Sequence, residues 1–547
     1  MQFLELSNQN IQIYLNDQHM KLKIYFSALM LFAFGFQSCK DSLDEVPYSS
    51  LNQDQVFADE AGLKKATLGI YQSYTAAGYS DVVNRFILSE SGHRYSTSGI
   101  YGAGADPFYR FGHLPKEDAF NSVWGRFYKT IFRANTVIAN ASKAVEDPEV
   151  MNVYLAEARF LRAYAYFNLV RYFGGVPLIN NAITSLEQSD LIYAPASTID
   201  ETYAFIVEDM LFAESNLPDQ WTGPEIGRVS AGTVKATLGK VYLHMAGKPL
   251  SKTEYFQKAA DKLAEVTGTA NEAKYNFTLL DNFADVFSIN NERNPEIVLS
   301  FGYFANESNP NGNFFPFFLF PQGLQNGDEQ TTYGLTYDFY KLFGKGDTRR
   351  DFTVIDRYQY KGSPNFAASA GDSVIYDATV HVYRNKKTGI YMGDTTTGYG
   401  IAYGKLARVP RIAGSPAQGY NSDLIEMRFS DVLLCYAEAL NEAGKPANAL
   451  PILNRVRTRA KAAVSRATTI PDLRAAIRLE RRLELTGEFT TVFDIRRWGT
   501  LKEEIAAIKP DQIVGAKLTP YDPRFEIYPI PQSQLDINPN LKQNAGW

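Results

Sequence analysis

The sequence is poor in the residues on which several classes of protein depend. Its 547 residues include only two cysteines and five histidines, and 55 Lys and Arg stand against 60 Asp and Glu. Two cysteines cannot form a disulfide framework, and no histidine lies in an H-E-x-x-H or H-x-H arrangement. Without a basic excess, the chain does not have the composition of a dedicated nucleic-acid binder. We therefore predict no metal, no cofactor and no nucleic-acid partner.

The N-terminal apolar stretch is too short for a comfortable membrane span. Ile24 to Phe36 is an apolar run of thirteen residues that follows the basic start Met20-Lys-Leu-Lys and ends just before Gln37-Ser38-Cys39. This layout predicts a secretory signal over residues 1–38, with Met20 as the true start. Cys39 follows a small residue and resembles the cysteine of a bacterial lipobox. We predict that Cys39 is lipidated and that residues 39–53 form a tether.

Aromatic residues, by contrast, are abundant. The chain has 34 Tyr, 36 Phe and 4 Trp, which is 14% of its residues and enough to fill a core and leave rings for a surface. Many of them lie in two stretches without sustained helical periodicity, Gly78 to Asp118 and Tyr303 to Tyr337. A long connection without a pattern of its own is often functional.

Apolar periodicity predicts helices over most of the remaining chain. In Arg428 to Gly444 the apolar residues fall three and four apart, and a second helix follows from Ala447 to about Ala460. In the tetratricopeptide register, Ala437 and Ala449 take the positions where the two helices cross. Leu238-Gly239-x-x-Tyr242 reproduces the core of a tetratricopeptide first helix.

The fold class predicted from these patterns is mainly α. It is a tetratricopeptide-like superhelix of helical hairpins, with an inserted irregular subdomain that contains a few short strands. The predicted regions are an N-terminal helical region over 54–275, a loop-rich inserted subdomain over 276–423 and a C-terminal helical region over 424–547.

Several segments resemble the SusD/RagB family. They are RFSDVLLCYAEALNEAG at 428–444, EARFLRAYAYFNLVRYFGGVP at 157–177, FDIRRWG at 493–499 and the closing tail from Tyr528 to Asn544. The resemblance implies a surface lipoprotein of the outer membrane that captures nutrients, mostly glycans. It also implies a partner, a SusC-like TonB-dependent transporter, and an oligosaccharide ligand held without a covalent step.

Catalytic chemistry has little support in the sequence. Glu438 and Glu442, and likewise Glu480 and Glu484, lie one helical turn apart, whereas glycoside hydrolysis needs two carboxylates facing each other across a sugar. Their arginine neighbours favour solvated ion pairs on a helix surface. Asp328 and Asp347 could ligate calcium, but no calcium-loop signature surrounds them. We predict a protein that is not an enzyme.

A site that captures sugars needs exposed rings and polar side chains that satisfy hydroxyls. The two unpatterned stretches have this composition, and the resemblance implies that ligands bind on one shallow face formed by them. The residues predicted to bind ligand are Arg94, Tyr95, Tyr101, Asp106, Tyr109, Tyr303, Phe315 and Tyr333. Peptide capture and a tetratricopeptide-type interaction scaffold remain as alternatives.

Overall fold

Helices dominate the computed structural model. It describes residues 53–75, 78–98, 106–303, 312–313, 315–321, 323–325, 333–362, 368–392, 400–405, 420–509 and 517–547. The chain divides into two compact units, Met1–Val56 and Phe57–Trp547. The described part of the first unit is the single turn Gln53–Val56, α1.

The N-terminal half of the second unit is a series of helices packed side by side. They are α2 (Glu60–Gln72), α3 (Gly78–Glu90), α4 (Asp106–Tyr109), α5 (Asp118–Ala144), α6 (Pro148–Phe173), α7 (Ser189–Ile192), α8 (Ile199–Asn216), α9 (Ala231–Ala246), α10 (Tyr255–Ala264) and α11 (Thr269–Tyr275). Asp147 caps α6 and Pro148 opens it, which fixes where the helix begins. Because α2, α5 and α8 all pack against α6, that helix is buried on nearly every face.

The remaining helices complete the array. They are α12 (Phe315–Leu319), α13 (Tyr337–Tyr340), α14 (Arg350–Thr353), α15 (Phe429–Glu442), α16 (Pro446–Arg459), α17 (Ile470–Leu485), α18 (Thr491–Arg497), α19 (Leu501–Ala506) and α20 (Gln532–Ile537). Helix α15 packs against α9, α10, α16 and α17, so the hairpins stack in sequence. The predicted tetratricopeptide-like fold is confirmed.

Small residues set the close approaches between these helices. Ala437 and Ala449 are both fully buried at the α15–α16 crossing. Gly239 of α9 lies against Leu263 of α10, and a Cβ atom at Gly239 would stand 2.4 Å from Leu263 Cγ. The glycine of the L-G-x-x-Y motif is therefore there because two helices pack without room for a side chain.

Nine short strands form three antiparallel sheets in the described chain. The strands are β1 (Ser96–Ser98), β2 (Ile297–Phe301), β3 (Tyr333–Leu335), β4 (Val354–Ile355), β5 (Arg357–Gln359), β6 (Ser373–Asp377), β7 (Val382–Asn385), β8 (Ile401–Tyr403) and β9 (Leu424–Arg428). The sheet orders are β1-β3-β8-β4, β2-β9 and β5-β6-β7. Seven of the strands lie within residues 276–423.

Two expectations about local structure were wrong. Residues 78–90, which carry no clear periodicity, form helix α3. Glu480 and Glu484 of α17 are completely buried and Glu438 of α15 is only 4% exposed, so none of the three is solvated. Glu480 and Glu484 both pair with Arg349, which lies more than a hundred residues earlier in the chain, at N–O distances of 2.6 and 2.9 Å. A partner so distant in sequence cannot be read from helical spacing.

Candidate functional site

Strand pairing joins the two unpatterned stretches that the sequence singles out. Strand β1 pairs with β3, with Ser96 opposite Leu335 and Thr97 opposite Gly334. The amide of Thr336 donates a hydrogen bond of 2.8 Å to the carbonyl oxygen of Tyr95. Parts of both predicted ligand regions therefore lie side by side in one sheet.

Half-buried tyrosines form the feature of this region that fits a ligand surface. Tyr337 and Tyr340 lie three residues apart on α13, so both rings fall on one face. Their centroids are 5.2 Å apart and their planes differ by 14°. The ring of Tyr376, on β6, stacks beside Tyr337 at 6.2 Å. We call Tyr337, Tyr340 and Tyr376 the tyrosine surface.

Charged side chains surround the tyrosine surface. The Lys341 ammonium lies 5.1 Å from the centroid of Tyr337, and the Arg350 guanidinium lies 5.1 Å from that of Tyr340. Asp338 forms ion pairs with Lys341 and Lys509. Rings with donors and acceptors at their edge are the composition that a sugar needs, because its C–H face can stack while its hydroxyls are hydrogen-bonded.

Arg94 and Tyr95 lie just before β1, and Tyr95 packs against α13. The Tyr95 ring packs 5.9 Å from the buried Phe339, and the Arg482 guanidinium lies 5.5 Å from it. Arg94 Nε donates a hydrogen bond of 2.9 Å to Glu504, and the Arg94 side chain is 34% exposed. Burial raises the pKa of Glu504, but the charge of Arg482 and its hydrogen bond outweigh burial and hold the pKa below its ordinary value. Both predicted residues remain partly accessible.

Three of the predicted ligand residues belong to the core. Tyr109, Phe315 and Tyr333 are 3%, 1% and 4% exposed. Phe315 and Tyr333 both pack against the buried Phe86, at 4.8 and 5.6 Å. Rings so enclosed cannot offer a face to a ligand, and the prediction for these three is corrected.

The structure describes some of the other residues singled out in the sequence and leaves others outside the described ranges. Tyr303 is partly exposed, and its amide donates to Asp423 Oδ1 at 3.3 Å. Asp106 begins α4, and its side chain lies outside the description. Cys39, Tyr101 and Asp328 lie outside the described residues. Asp347 is buried against Arg349 at 2.7 Å, so its carboxylate is not open to calcium.

None of the three rings of the tyrosine surface was among the predicted ligand residues, although Tyr337 ends the second unpatterned stretch. The spacing of Tyr337 and Tyr340 on a short helix was a usable signal, whereas the position of Tyr376 depends on sheet pairing far along the chain. Within the described ranges, no three His, Cys, Asp or Glu side chains come together as metal ligands would. In the same ranges, no helix has the length and apolar character needed to cross a bilayer.

Comparison with known proteins identifies the family. A model described as the SusD family matches residues 248–547, just over half of the chain. The chain belongs to the SusD family. A second family model, described as starch-binding associating with outer membrane, matches residues 41–243.

Individual SusD relatives agree over almost the whole length. SusD-like protein P2 of Formosa agariphila is 26% identical over 545 residues, which cover 96% of this chain and 99% of that protein. A SusD homolog from Bacteroides thetaiotaomicron has a TM-score of 0.73 at 20% identity, over 90% of this chain and 98% of the other. A laminarin binding SusD-like protein has a TM-score of 0.70 at 25% identity, over 90% and 100%.

The SusD motifs of this chain lie in the scaffold. Arg428, which opens the most recognisable segment, is fully buried. In the closing tail, Asn544 Nδ2 donates to the carbonyl oxygens of Phe173 and Tyr528 at 2.9 and 2.8 Å, which ties the C-terminus to the end of α6. These motifs identify the family because they stabilise its fold.

Glu90 positions the segment that carries Arg94 and Tyr95. Its fully buried carboxylate ends α3 and accepts hydrogen bonds from the amides of Gly487, Thr490 and Thr491 and from the Thr491 hydroxyl. Burial raises the pKa of Glu90 to about 7, and the four donors partly oppose this rise. The site segment is thereby attached to the corner between α17 and α18 through a group that titrates near neutral pH.

We expect Glu90 to make stability depend on pH. Because its pKa is raised in the folded state, its contribution is complete below the unfolded value near pH 4.5 and is lost as the pH rises through 7. The free energy of unfolding should fall by on the order of 1 to 3 kcal/mol over that range. Denaturant titrations of wild type and Glu90→Gln at several pH values would measure it.

The difference between wild type and Glu90→Gln isolates this carboxyl, since the other groups titrate in both proteins. Glu187→Gln, at an exposed site, is the matched control and should not alter the slope. Parallel pH profiles for wild type and Glu90→Gln would contradict the prediction.

Proposed function

We propose that this chain is a surface-exposed lipoprotein, held in the outer membrane by a lipid on Cys39. It captures an oligosaccharide and delivers it to a SusC-like TonB-dependent transporter. The observation that carries the binding step is the tyrosine surface, in which three half-buried rings stack beside charged side chains. Half-buried rings leave part of their apolar surface open to solvent, and such surface suits a ligand with flat apolar faces.

The comparisons support glycan as the ligand class. One solved relative is named for laminarin binding, and the N-terminal family model is described by starch binding and association with the outer membrane. The proposed ligand surface contains Tyr337, Tyr340 and Tyr376, with Arg94, Tyr95 and Tyr303 as further contacts. Tyr101 and Asp106 stay in the proposal as sequence predictions.

The proposed capture is non-covalent. Glu480 and Glu484 are buried against arginines, and Glu438 pairs with Arg497 at 2.5 Å. These carboxylates have structural partners and do not face one another across an open site, as the acid and base of a glycoside hydrolase do. Turnover of a bound glycan would contradict this part of the proposal.

We expect the double variant Tyr337→Ala/Tyr340→Ala to bind its oligosaccharide at least about tenfold more weakly, because two stacking faces are lost. A glycan array on the full-length chain, run beside a peptide library, would identify the ligand. Calorimetric titration of the variant would then measure the loss.

Tyr193→Ala is the matched control, since Tyr193 is 39% exposed and lies beside α7, apart from the tyrosine surface. Tyr95→Ala and Tyr303→Ala test the further contacts in the same titration. Undiminished affinity in the double variant, with unchanged melting, would reject the tyrosine surface. Binding confined to the peptide library would favour peptide capture.

Delivery to a transporter needs a separate test. Full-length chain purified from outer-membrane extracts should bring a large β-barrel protein with it, and a Cys39→Ala variant should be released from the membrane fraction. Purification of the chain alone under mild detergent would contradict the proposed partnership.

A further inference from the structure

An open cleft of about 90 Å³ lies in the helical scaffold. Its walls are the loop between α8 and α9, the residues after α11 and the start of β2. None of its lining residues belongs to the tyrosine surface. The volume is below that of sites that enclose a whole small molecule, so the cleft has the size of a subsite for one part of a larger ligand.

Three polar side chains at this cleft are exposed. Gln220, Asn276 and Arg293 make no side-chain hydrogen bond or close ion pair in the described part of the chain, and Arg293 interacts with Glu292 and Asp423 through its charge alone. Two of them are amides that both donate and accept, and the third is a guanidinium. Together they are suited to hydroxyl groups and to an anionic oxygen.

The backbone sets Arg293 in place. Arg293 has a φ of 61°, in the left-handed region that costs most side chains about 1 kcal/mol. Its guanidinium crosses Gly227, where a Cβ atom would stand 3.3 Å from Arg293 Nε. Arginine is not among the residues that turns favour in this left-handed conformation. Unusual backbone of this kind concentrates at binding sites.

An aromatic ring lies in the same cleft. Trp221 is half-buried, and its Nε1 donates a hydrogen bond of 2.8 Å to the carbonyl oxygen of Val229. The Arg228 guanidinium lies 4.2 Å from the Trp221 ring, and its charge is balanced by Glu157 and Glu225 at 2.5 and 2.6 Å. Arg228 therefore holds the ring, while Arg293 is left to meet a ligand.

The charge of the cleft favours an anion. Its charged lining residues are Arg228 and Arg293, and it has no carboxylate among them. Arg293 also lines an adjoining cavity, together with Glu292 and Asp423, and its charge acts on both of these carboxylates. Burial and then the charge of Asp423 raise the pKa of Glu292 to about 7, so Glu292 carries only part of its charge at neutral pH. Arg293 thus faces the cleft with its own charge incompletely neutralised.

We infer that this cleft is a second carbohydrate subsite and that it takes an acidic sugar unit, with Arg293 binding a carboxylate or sulfate group. The inference rests on the proposed function, since it assumes that the chain captures an oligosaccharide. It adds a second contact with the polymer and a preference for acidic chains.

The test compares acidic and neutral forms of the same backbone. The probes are sulfated and desulfated oligosaccharides of one galactan, and oligogalacturonate with its methyl ester, titrated calorimetrically into the full-length chain. Arg293→Gln should weaken binding of the preferred acidic probe by about tenfold, since a charge-assisted contact is lost. Its affinity for the neutral form should not change. Arg293→Lys keeps the charge and should retain most of the affinity.

Arg466→Gln is the matched control, because it removes an exposed charge from the connection between α16 and α17. Wild type that binds no acidic probe better than its neutral form would overturn the inference, as would equal affinity of Arg293→Gln and wild type. The neutral probes and the Tyr337→Ala/Tyr340→Ala variant report on the proposed function separately. The subsite can thus fail while glycan capture stands.

Discussion

Replacing Arg428 with methionine should lower the free energy of unfolding by about 3–5 kcal/mol, the largest loss that we expect from one substitution. Arg428 is completely buried and pairs with Glu488, Glu296 and Glu484 at 2.7, 2.8 and 3.0 Å. A methionine of similar length would fill much of the space and leave these carboxylates short of a positive charge. Burial of an unpaired charge costs more than the lost contact itself.

The effect of Arg428 extends beyond its own ion pairs. Glu484 also pairs with Arg349, and Lys405 pairs with Glu488, so residues of the irregular region share carboxylates with helix α17 and the loop after it. Burial opposes the ionised form of Glu484, but the charges of Arg459, Arg428 and Arg349 dominate and hold its pKa below the ordinary value. Removing one arginine weakens every member of such a network.

Guanidinium denaturation of the full-length chain would measure the loss. Arg474→Met is the matched control, because Arg474 pairs with Glu442 at 2.5 Å but its side chain is 37% exposed. A surface ion pair contributes at most about 1 kcal/mol. Equal losses in the two variants would show that burial does not govern the network.

The sequence predicted the scaffold well because helix packing is periodic. Ala437 and Ala449 could be placed at a crossing from spacing alone, since neighbours on a helix are set by 3.6 residues per turn. The same reasoning misplaced Glu480 and Glu484. The local sequence of a carboxylate beside arginines is the same on a solvated helix face and in a buried network of ion pairs. The partners Arg349 and Arg428, which decide between the two, lie far away in sequence.

The proposed ligand surface was harder to predict, because the exposure of a ring depends on contacts with residues far away in sequence. Phe315 and Tyr337 both occur among glycine and aromatic residues, yet Phe315 is buried and Tyr337 is half-buried. Phe315 is enclosed by Phe86 and Phe489, which lie far from it in sequence, at centroid distances of 4.8 and 5.5 Å. Composition could identify the two stretches but not choose among their rings.

Replacing Gly334 with valine should disrupt this sheet. A Cβ atom at Gly334 would stand 2.6 Å from the Cα of Gly400, and its three nearest neighbours are all backbone atoms of Gly400, so no flexible side chain can move away. Valine is otherwise favoured in strands, so any loss comes from the close approach and not from strand propensity. We expect a loss of about 3 kcal/mol in the free energy of unfolding.

Ligand binding should fall with it, because α13 begins two residues after β3 and carries Tyr337 and Tyr340. We expect at least a tenfold loss of affinity, measured by calorimetric titration at a temperature where the variant is still folded. Gly344→Val is the matched control: no atom lies within 4 Å of its Cβ position, so the same side chain is added to open space. If Gly334→Val melts and binds like Gly344→Val, the strands can separate without moving the tyrosines. The surface would then not depend on the sheet that joins the two stretches.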